Sequence, residues 1–237
     1  MKQEVFFKDL GLRTYKEVWD LQEVLLKQNV EKKAALYNHP IALAGKQAST
    51  LHHLLFVEHY PVYTLGKSGK EANVLINEEQ LKQKNIEFFR INRGGDITFH
   101  GPQQIVGYPI LDLDKFKTDL GWYLRSLEEV IILTLAEYGI VGERSAGETG
   151  VWIEPGVKGR ERKICAMGIK CSRWVTMHGF AFNVNTDLTY FDYIVPCGIE
   201  GKMVTSLEEE LGAEVPMADV KERLKRNFEK VFDAILV

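Results

Sequence analysis

Apolar side chains at helical spacing predict amphipathic helices in three parts of the chain. The first begins near Thr14, where Thr14 and Glu17 have capping-box spacing and apolar residues follow on one face. The clearest helix covers about residues 119–138, because its apolar face is broad and Gly139 follows as a C-terminal stop. A third amphipathic helix begins at about Pro216 and closes the chain. Each helix presents one apolar face for burial.

Short apolar or alternating runs between these helices predict strands. The runs are LLFV (54–57), IEFFRI (86–91), ITF (97–99), IVGYPILDL (105–113), VWIE (151–154), KICAMGIKC (163–171) and TMHGFAFNV (176–184). The turn-rich segment 154–162 suggests a hairpin, and shorter helices are expected at about 77–84 and 206–211. The chain lacks repeats, low-complexity tracts and linkers, so the pattern predicts one mixed α/β or α+β domain over residues 1–237.

Composition excludes several classes of protein. The chain has 237 residues, 45% hydrophobic and 27% charged, which is ordinary for a soluble globular protein. A net charge of −3 gives no global basic field for nucleic acid. Charges interrupt the apolar stretches near the N-terminus, and the run VIILTLAEYGIV is far shorter than the ~20 residues of a membrane span. We therefore expect a cytoplasmic protein that binds neither nucleic acid nor a membrane.

The segment RGGDITFHGP, residues 93–102, is the first candidate for chemistry. Gly94 and Gly95 let the backbone turn with positive φ and approach a ligand, and exposed amides there could hold a carbonyl or an anion. Arg93 adds a cation, and His100 adds a group that ordinarily titrates near neutrality. The alternative is a hairpin turn followed by a strand with a surface histidine. The segment is neither a GxGxxG fingerprint nor a Walker P-loop.

Two predicted strands hold further candidates. Lys163 begins the strand KICAMGIKC, where a lysine is either a solvated end or, in an apolar pocket, an acid and base near neutral pH. Strict alternation would place Lys163, Cys165 and Met167 on one face, opposite Ala166 and Gly168. In the second strand, HGFAFNV, small residues at positions 179 and 181 suit either an acyl tunnel or close packing of a sheet on a helix.

Cys197 occupies an unusual position for a core cysteine. It lies between Pro196 and Gly198, which do not belong in a central strand, so a loop cysteine accessible to a bulky thioester is expected. A neighbouring cation such as Lys163 would favour its thiolate, although no spacing rule joins residues so far apart. A zinc site from Cys165, Cys171, His178 and Cys197 is disfavoured, because these spacings match no zinc finger or ribbon. No metal is therefore expected.

Four segments, taken in order, resemble the octanoyltransferases of lipoate biosynthesis, the LipB family. They are RGGDITFHGP, KICAMGIK, HGFAFNVN and PCGIEGKMVTSLEEELG. The resemblance covers about residues 60–211, and the combination is highly specific although each segment alone is weak. It implies a domain similar to the catalytic domains of biotin protein ligases and lipoate-protein ligases, with mixed sheets packed against helices.

The resemblance also implies an activity. Octanoyl is transferred from octanoyl-acyl carrier protein to a lysine of lipoyl domains, those of 2-oxoacid dehydrogenases and the glycine cleavage H protein. Cys197 would form an octanoyl thioester, and Lys163 would act as acid and base. The acyl group already arrives as a thioester, so neither ATP nor another cofactor is implied. The residues implied to line the acyl site are Arg93, Gly94, Gly95, Asp96, Ile97, Thr98, Phe99, His100, Ala166, Met167, Gly168, Gly179, Phe180 and Ala181.

A few residues are not explained by this resemblance, and other functions remain as alternatives to it. Gln103 stands where the family usually has glycine, which affects the expected backbone path, and Cys165 and Cys171 are expected to be core residues. The alternatives are an ATP-dependent lipoate or biotin ligase, a thioesterase, and a non-catalytic module that binds acyl carrier proteins or lipoyl domains. Acidic protein partners would favour a basic rim drawn from Lys67, Lys70, Lys158, Arg160, Arg162, Lys170 and Arg173.

Overall fold

The computed structural model describes residues 2–38, 49–195 and 203–237. Its α-helices are α1 (Tyr15–Asn38), α2 (Glu78–Gln83), α3 (Leu120–Ala136), α4 (Leu207–Leu211) and α5 (Met217–Phe232). Its strands are β1 (Gln3–Arg13), β2 (His52–His59), β3 (Val62–Leu65), β4 (Glu87–Arg90), β5 (Ile97–His100), β6 (Gln104–Ile110), β7 (Val151–Ile153), β8 (Arg162–Ser172), β9 (Val175–Asn183), β10 (Met203–Val204) and β11 (Ala234–Leu236). Short 3₁₀ helices cover Glu71–Asn73, Leu113–Lys115 and Leu188–Tyr193.

The three long helices begin where the sequence predicts. The Thr14 hydroxyl donates to the Glu17 carboxylate at 2.7 Å, and the backbone N–H of Thr14 donates to the same carboxylate at 3.2 Å. The Asp119 side chain accepts from the Trp122 N–H and caps α3. The α5 helix begins directly after Pro216, a residue that is favourable at a helix start.

The larger sheet mixes parallel and antiparallel pairs, in the order β10-β8-β9-β6-β2-β1-β11, with β7 also paired to β8. The pairs β1–β2, β1–β11 and β8–β10 are parallel, whereas β2–β6, β6–β9, β8–β9 and β7–β8 are antiparallel. A smaller sheet has the order β4-β3-β5. The prediction of a mixed α/β architecture is therefore confirmed, and so is the hairpin that joins β7 to β8.

Helices cover both faces of the larger sheet. The α3 and α5 helices pack on one face, where residues such as Leu127, Leu224 and Phe182 are buried in one apolar cluster. The α1 helix packs on the other face, against a second cluster that includes Val57 and Met177. Within the described ranges, no helix is long and apolar enough to cross a membrane.

Candidate active site

A cavity of about 450 Å³ lies where the loop before β5 crosses β8 and β9. The loop is held there by a hydrogen bond from the Gly94 N–H to the Ile169 carbonyl, at 2.8 Å. Most of the residues implied by the family resemblance to bind the acyl chain surround this cavity. They are Arg93, Gly94, Gly95, Asp96, Ile97, Thr98, His100, Ala166, Met167, Gly168, Gly179 and Ala181.

The remaining two aromatic residues of that set point elsewhere. Phe99 stacks on Tyr190 with ring centroids 4.5 Å apart, in the core beside the smaller sheet. Phe180 is buried in the core between the larger sheet and α3, near Phe56. Successive residues of a strand point to opposite faces, so Thr98 and His100 of β5 and the small residues Gly179 and Ala181 of β9 face the cavity while these rings face away. The side chains of Phe99 and Phe180 therefore do not line this cavity, contrary to the expectation from the family resemblance.

Only one of the two paired glycines has the positive φ that the sequence predicts. Gly95 has φ +88°, whereas Gly94 has no positive φ. A Cβ on Gly66 would lie 2.3 Å from the Gly95 carbonyl oxygen, so the segment after β3 packs directly on this loop. The N–H of Gly66 donates to the Asp96 carbonyl at 3.1 Å. The loop is thus fixed from both sides, by β8 and by the end of β3.

Arg93 is part of the cavity wall and not a surface cation. Its side chain is 8% exposed, and its guanidinium donates to the Thr64 carbonyl at 2.7 Å and to the Gly94 carbonyl at 3.0 Å. Backbone carbonyls carry partial negative charge, so these bonds orient the guanidinium and tie the loop to β3. The cation therefore has a positioning role in addition to its place beside the cavity.

His100 is buried, so the alternative of a surface histidine is wrong. Burial, with further contributions from His59 and Arg93, lowers the pKa of His100 well below its usual value. Its Nδ1 lies 3.0 Å from the Gln104 Oε1, and its ring stacks on Tyr15 at 5.9 Å. The expectation that His100 titrates near neutrality is therefore also wrong, because the neutral imidazole persists into acidic conditions.

Lys163 is buried at the edge of the same cavity, which excludes the solvated strand end. Its side chain is 7% exposed, and its Nζ lies 4.5 Å from the centroid of the Trp152 ring. A β-bulge explains how it reaches the cavity: Trp152 pairs with Lys163 and Val151 with Cys165, so Ile164 is an extra residue. The bulge breaks the expected alternation and lets Lys163, Ala166 and Gly168 line one cavity.

The small residues of β8 and β9 line the cavity and also allow neighbouring backbone to approach closely. A Cβ on Gly168 would lie 2.6 Å from the Gly94 carbonyl oxygen, so glycine permits the loop to approach. A Cβ on Gly179 would lie 2.2 Å from the Gly107 carbonyl oxygen, so Gly179 also allows close packing of β9 on β6. Gly179 and Ala181 thus line the cavity, and Gly179 also permits the close approach of the neighbouring strand β6.

Cys197 lies outside the described residues, but the chain on either side of it is described. On one side, the Val195 N–H donates to the Asn73 carbonyl at 2.8 Å. On the other side, Val204 of β10 pairs with Lys163, and the Thr205 N–H donates to the Lys163 carbonyl at 3.0 Å. The chain therefore returns to the backbone of Lys163 within seven positions of Cys197, which sequence spacing could not reveal.

The other two cysteines differ from each other. Cys165 is buried in the apolar core, and burial raises the pKa of its thiol well above the usual value, which confirms it as a core residue. Cys171 is only partly buried and is absent from the apolar clusters of the described ranges, so the core expectation is wrong for it. Within those ranges no group of three or more His, Cys, Asp or Glu side chains could hold a metal ion.

Several cavity residues are missed by sequence reasoning. They are Ser68, Gln104, Leu124, Glu148, Thr149, Ile169, Asn183, Phe191 and Val204. Gln104 and Asn183 carry a detectable signal, since amides inside apolar strands need partners, and here Gln104 Nε2 donates to Asn183 Oδ1 at 2.9 Å. Glu148 and Thr149 lie in a loop with no periodic pattern, and only the fold brings them to the cavity.

The predicted basic rim separates into two kinds of residue. Arg160 and Arg162 form ion pairs with Glu154, Arg162 also pairs with Glu210, and Lys170 pairs with Glu23. The other members are exposed; they are Lys67, Lys70, Lys158 and Arg173. Lys67 and Lys70 lie on either side of Ser68, which lines the cavity.

Known proteins resemble this chain over nearly its whole length. A family model described as the lipoyl protein ligase A/B catalytic domain matches residues 14–229. A Christiangramia forsetii protein named octanoyltransferase is 56% identical over 237 residues, covering 100% of this chain and 99% of that protein. A Flavobacterium johnsoniae octanoyltransferase is 55% identical over 238 residues, with 100% of both proteins covered.

Solved structures show the same fold at low sequence identity. A bipartite lipoate protein ligase of Thermoplasma acidophilum, solved in work on its E2 lipoyl domain, matches with a TM-score of 0.70 at 17% identity, covering 99% of this chain and 86% of that one. A lipoate-protein ligase A bound with ATP matches with a TM-score of 0.67 at 16% identity, covering 100% and 88%. At this identity the likeness establishes the fold alone.

Proposed function

The chain belongs to the lipoyl protein ligase A/B catalytic-domain family and catalyses octanoyl transfer in protein lipoylation, and on that premise we propose that the acyl group passes through a thioester on Cys197. The donor is octanoyl-acyl carrier protein. The acceptors are lysines on lipoyl domains of 2-oxoacid dehydrogenases and on the glycine cleavage H protein. The reaction takes place in the cytoplasm and needs no metal or organic cofactor.

The buried Lys163 beside the cavity is the observation that supports this proposal most strongly. An amine that is 7% exposed and lines a cavity can exchange protons with a bound reactant. The cavity volume of about 450 Å³ lies in the range of roughly 300–1,000 Å³ that is usual for small-molecule sites. Apolar side chains of Leu124, Met167 and Ile169 in its wall suit an alkyl chain.

In the first half-reaction, the Cys197 thiolate attacks the carbonyl carbon of the donor thioester. A new C–S bond forms, the bond to the donor sulfur breaks, and the Lys163 ammonium gives its proton to the departing thiolate. Donor thiol and acyl-enzyme are the products. The loop of residues 93–96 and the small residues of β8 and β9 hold the alkyl chain meanwhile.

In the second half-reaction, the amine of the acceptor lysine attacks the carbonyl carbon of the acyl-cysteine. A C–N bond forms, the C–S bond to Cys197 breaks, and the neutral Lys163 amine removes the proton that the attacking nitrogen loses. The thiolate and the Lys163 ammonium are thereby restored. One lysine thus serves as acid and then as base.

Intact mass spectrometry tests the proposal directly. The protein is mixed with an octanoyl thioester donor, and we expect one octanoyl adduct that maps to Cys197. Cys197→Ser should abolish this adduct, whereas the partly buried Cys171→Ser serves as the matched cysteine control and should retain it. An adduct that survives in Cys197→Ser, or no adduct on the wild-type protein, would contradict the proposal.

The same experiment separates the alternatives. Lys163→Met should slow both half-reactions while leaving the cavity apolar, since methionine has a similar length but cannot carry a proton. Activity from free octanoate and ATP would instead favour a ligase, and release of octanoate without an acceptor would favour a thioesterase. Donor binding without turnover, unaffected by Lys163→Met, would favour a binding module.

Docking of an acidic donor protein is assigned to the exposed lysines at the cavity. Charge reversal of Lys67 and Lys70 should slow transfer most at low salt, because electrostatic steering is screened at higher ionic strength. Arg173, at the β8–β9 turn far along the strand from Lys163, is the matched control and should have little effect. Equal effects at both places would remove this assignment.

A further inference from the structure

The short segment of residues 71–75 connects the acyl-binding loop to the chain that precedes Cys197. The Asn73 side-chain Nδ2 donates to the Asp96 carboxylate at 2.6 Å. The Asn73 backbone carbonyl accepts from the Val195 N–H at 2.8 Å. Asn73 is thus bonded at one end to a cavity residue and at the other to a residue two positions before Cys197.

Both ends of this connection are held by further bonds. The second oxygen of the Asp96 carboxylate accepts from the Ile97 N–H at 2.7 Å, which fixes the plane of the carboxylate. On the other side, Val74 forms an antiparallel bridge with Ile194, and the Leu75 N–H donates to the Tyr193 carbonyl at 2.9 Å. Residues 73–75, at the end of the 3₁₀ helix Glu71–Asn73, therefore pair with residues 193–195 in a short antiparallel stretch.

A charged hydrogen bond joins the loop directly to Asn73, beside the backbone bonds that residues 66–68 make to the same loop. Bonds between an amide N–H and a carboxylate are roughly twice as strong as those between neutral groups. Of the described side-chain bonds of Asn73, only the one to Asp96 joins the 71–75 segment to the loop of residues 93–96. Removing that amide removes the direct bond between Asn73 and Asp96, while the backbone bonds from residues 66–68 to the loop remain.

We propose that Asn73 and Asp96 are positioning residues, which set the alignment of the nucleophile segment against the acyl chain held in the cavity. The inference rests on the proposed function, because it takes Cys197 as the nucleophile. Asp96 orients the acyl loop through Ile97 and, through Asn73, orients residue 195. One hydrogen bond thus joins the loop at the cavity to Asn73, whose carbonyl holds Val195 on the chain that leads to Cys197.

The size of the effect follows from the geometry of attack. Reacting atoms need to be about 3–3.5 Å apart in line, and a displacement of about 1 Å can cost on the order of 100-fold in rate. Asn73→Ala should therefore slow acylation of Cys197 by about 10- to 100-fold at saturating donor. The KM for the donor should change little, because Asn73 does not line the described cavity.

Exchanging the side chains of Asn73 and Asp96 distinguishes a role in aligning the reactants from a role in the stability of the fold. In the double variant Asn73→Asp/Asp96→Asn, the amide oxygen introduced at position 96 still accepts from the Ile97 N–H. The NH₂ of the same amide donates to the carboxylate introduced at position 73. Asn73→Asp alone places two carboxylates against each other, and its acylation should be slow. The double variant should recover most of the lost rate, which a role in packing alone would not produce.

Asn77→Ala is the matched control for loss of a polar contact nearby. Asn77 caps α2 by accepting from the Gln80 N–H and has no described bond to Asp96 or Val195. Its loss should lower the melting temperature by about 2–4 °C, as expected for loss of a helix cap in a chain of this size. Its rate of acylation should remain that of the wild-type protein.

The experiment is single-turnover acylation of the full chain by an octanoyl thioester, followed by intact mass. Slow Asn73→Ala and Asn73→Asp variants with a recovering double variant support the inference. Wild-type rates in Asn73→Ala, or a folded double variant as slow as Asn73→Asp, overturn it while leaving the proposed function intact. A wild-type protein that forms no adduct on Cys197 overturns the proposed function and this inference together.

Discussion

Acidification should destabilise this protein strongly, because several histidines are buried in the neutral form. Burial lowers the pKa of His52 and of His59 to about 4 and the pKa of His178 to about 3, from an ordinary value of 6.5. The unfolded chain binds these protons below pH 6.5 and the folded chain does not. Stability is therefore complete above pH 6.5 and is lost progressively as the pH falls towards 4.

The magnitude follows from proton linkage. A histidine that titrates only in the unfolded chain removes about 1.4 kcal/mol between pH 7.5 and pH 5.5. His52, His59 and His178 together remove about 4 kcal/mol, a large part of the 5–15 kcal/mol that typically stabilises a domain. The lowered pKa values of His53 and His100 add in the same direction. Carboxylates with lowered pKa values, such as Glu137 and Asp219, lose their contribution mainly below this window.

Urea unfolding followed by tryptophan fluorescence at pH 7.5 and pH 5.5 measures this loss. His59→Gln supplies the control, because the His59 Nδ1–H donates to the Arg13 carbonyl and its Nε2 accepts from the Tyr108 hydroxyl. Glutamine offers one donor and one acceptor but does not titrate, so the difference between the two pH values should shrink by about 1.4 kcal/mol. A wild-type difference below about 1 kcal/mol would refute the assignment of neutral buried histidines.

Three further predictions concern the backbone around the cavity. At Gln103, with φ +61°, Gln103→Gly should be about 1 kcal/mol more stable than Gln103→Ala in urea unfolding, reversing the usual order of these residues. Gly179→Ala should lower the free energy of unfolding by about 1–3 kcal/mol in the same measurement, because the new Cβ meets the Gly107 carbonyl. In Gly94→Ala the new Cβ makes only an ordinary contact, at 3.5 Å from the Ile169 carbonyl oxygen. This variant should keep its stability and instead use the octanoyl donor less well. Glu128→Ala should cost about 3 kcal/mol in thermal unfolding, because a buried carboxylate that binds Arg125, Arg144 and the Gly150 N–H is removed. Wild-type stability in Gly179→Ala or Glu128→Ala would contradict the corresponding contact, equal stability of the two Gln103 variants would contradict the backbone argument, and unchanged donor use would contradict the prediction for Gly94→Ala.

The sequence predicts the elements of this fold better than their arrangement. The long helices follow from periodicity and capping, and β5, β6, β8 and β9 follow from short apolar runs. The terminal strands β1 and β11 are not predicted, because a register shift between Asp9 and Leu12 interrupts the alternation of β1, and β11 has three residues. Parallel pairing of strands so far apart in the chain leaves no local signal.

In the candidate site, too, the sequence predicts the motifs better than the way the side chains are arranged in space. The ordered motifs identify the loop of residues 93–96 and the small residues of β8 and β9, which the structure places around one cavity. The face of Lys163 could not be predicted, because the bulge at Ile164 shifts the alternation by one residue. The burial that keeps His100 neutral depends on Tyr15 and His59, which come from distant parts of the chain.

The two fixed ends of the segment that carries Cys197 have a consequence for how this family can vary. Residues 193–195 are bonded to residues 73–75, and residues 203–204 are paired to β8, so the described chain on each side of that segment is held in place. An inserted or deleted residue there would move the thiol relative to both anchors. The turn between β7 and β8 is largely exposed and bonded within itself, so it can accept insertions without moving either strand. Length variation among homologues should therefore accumulate in that turn and be excluded around the cysteine.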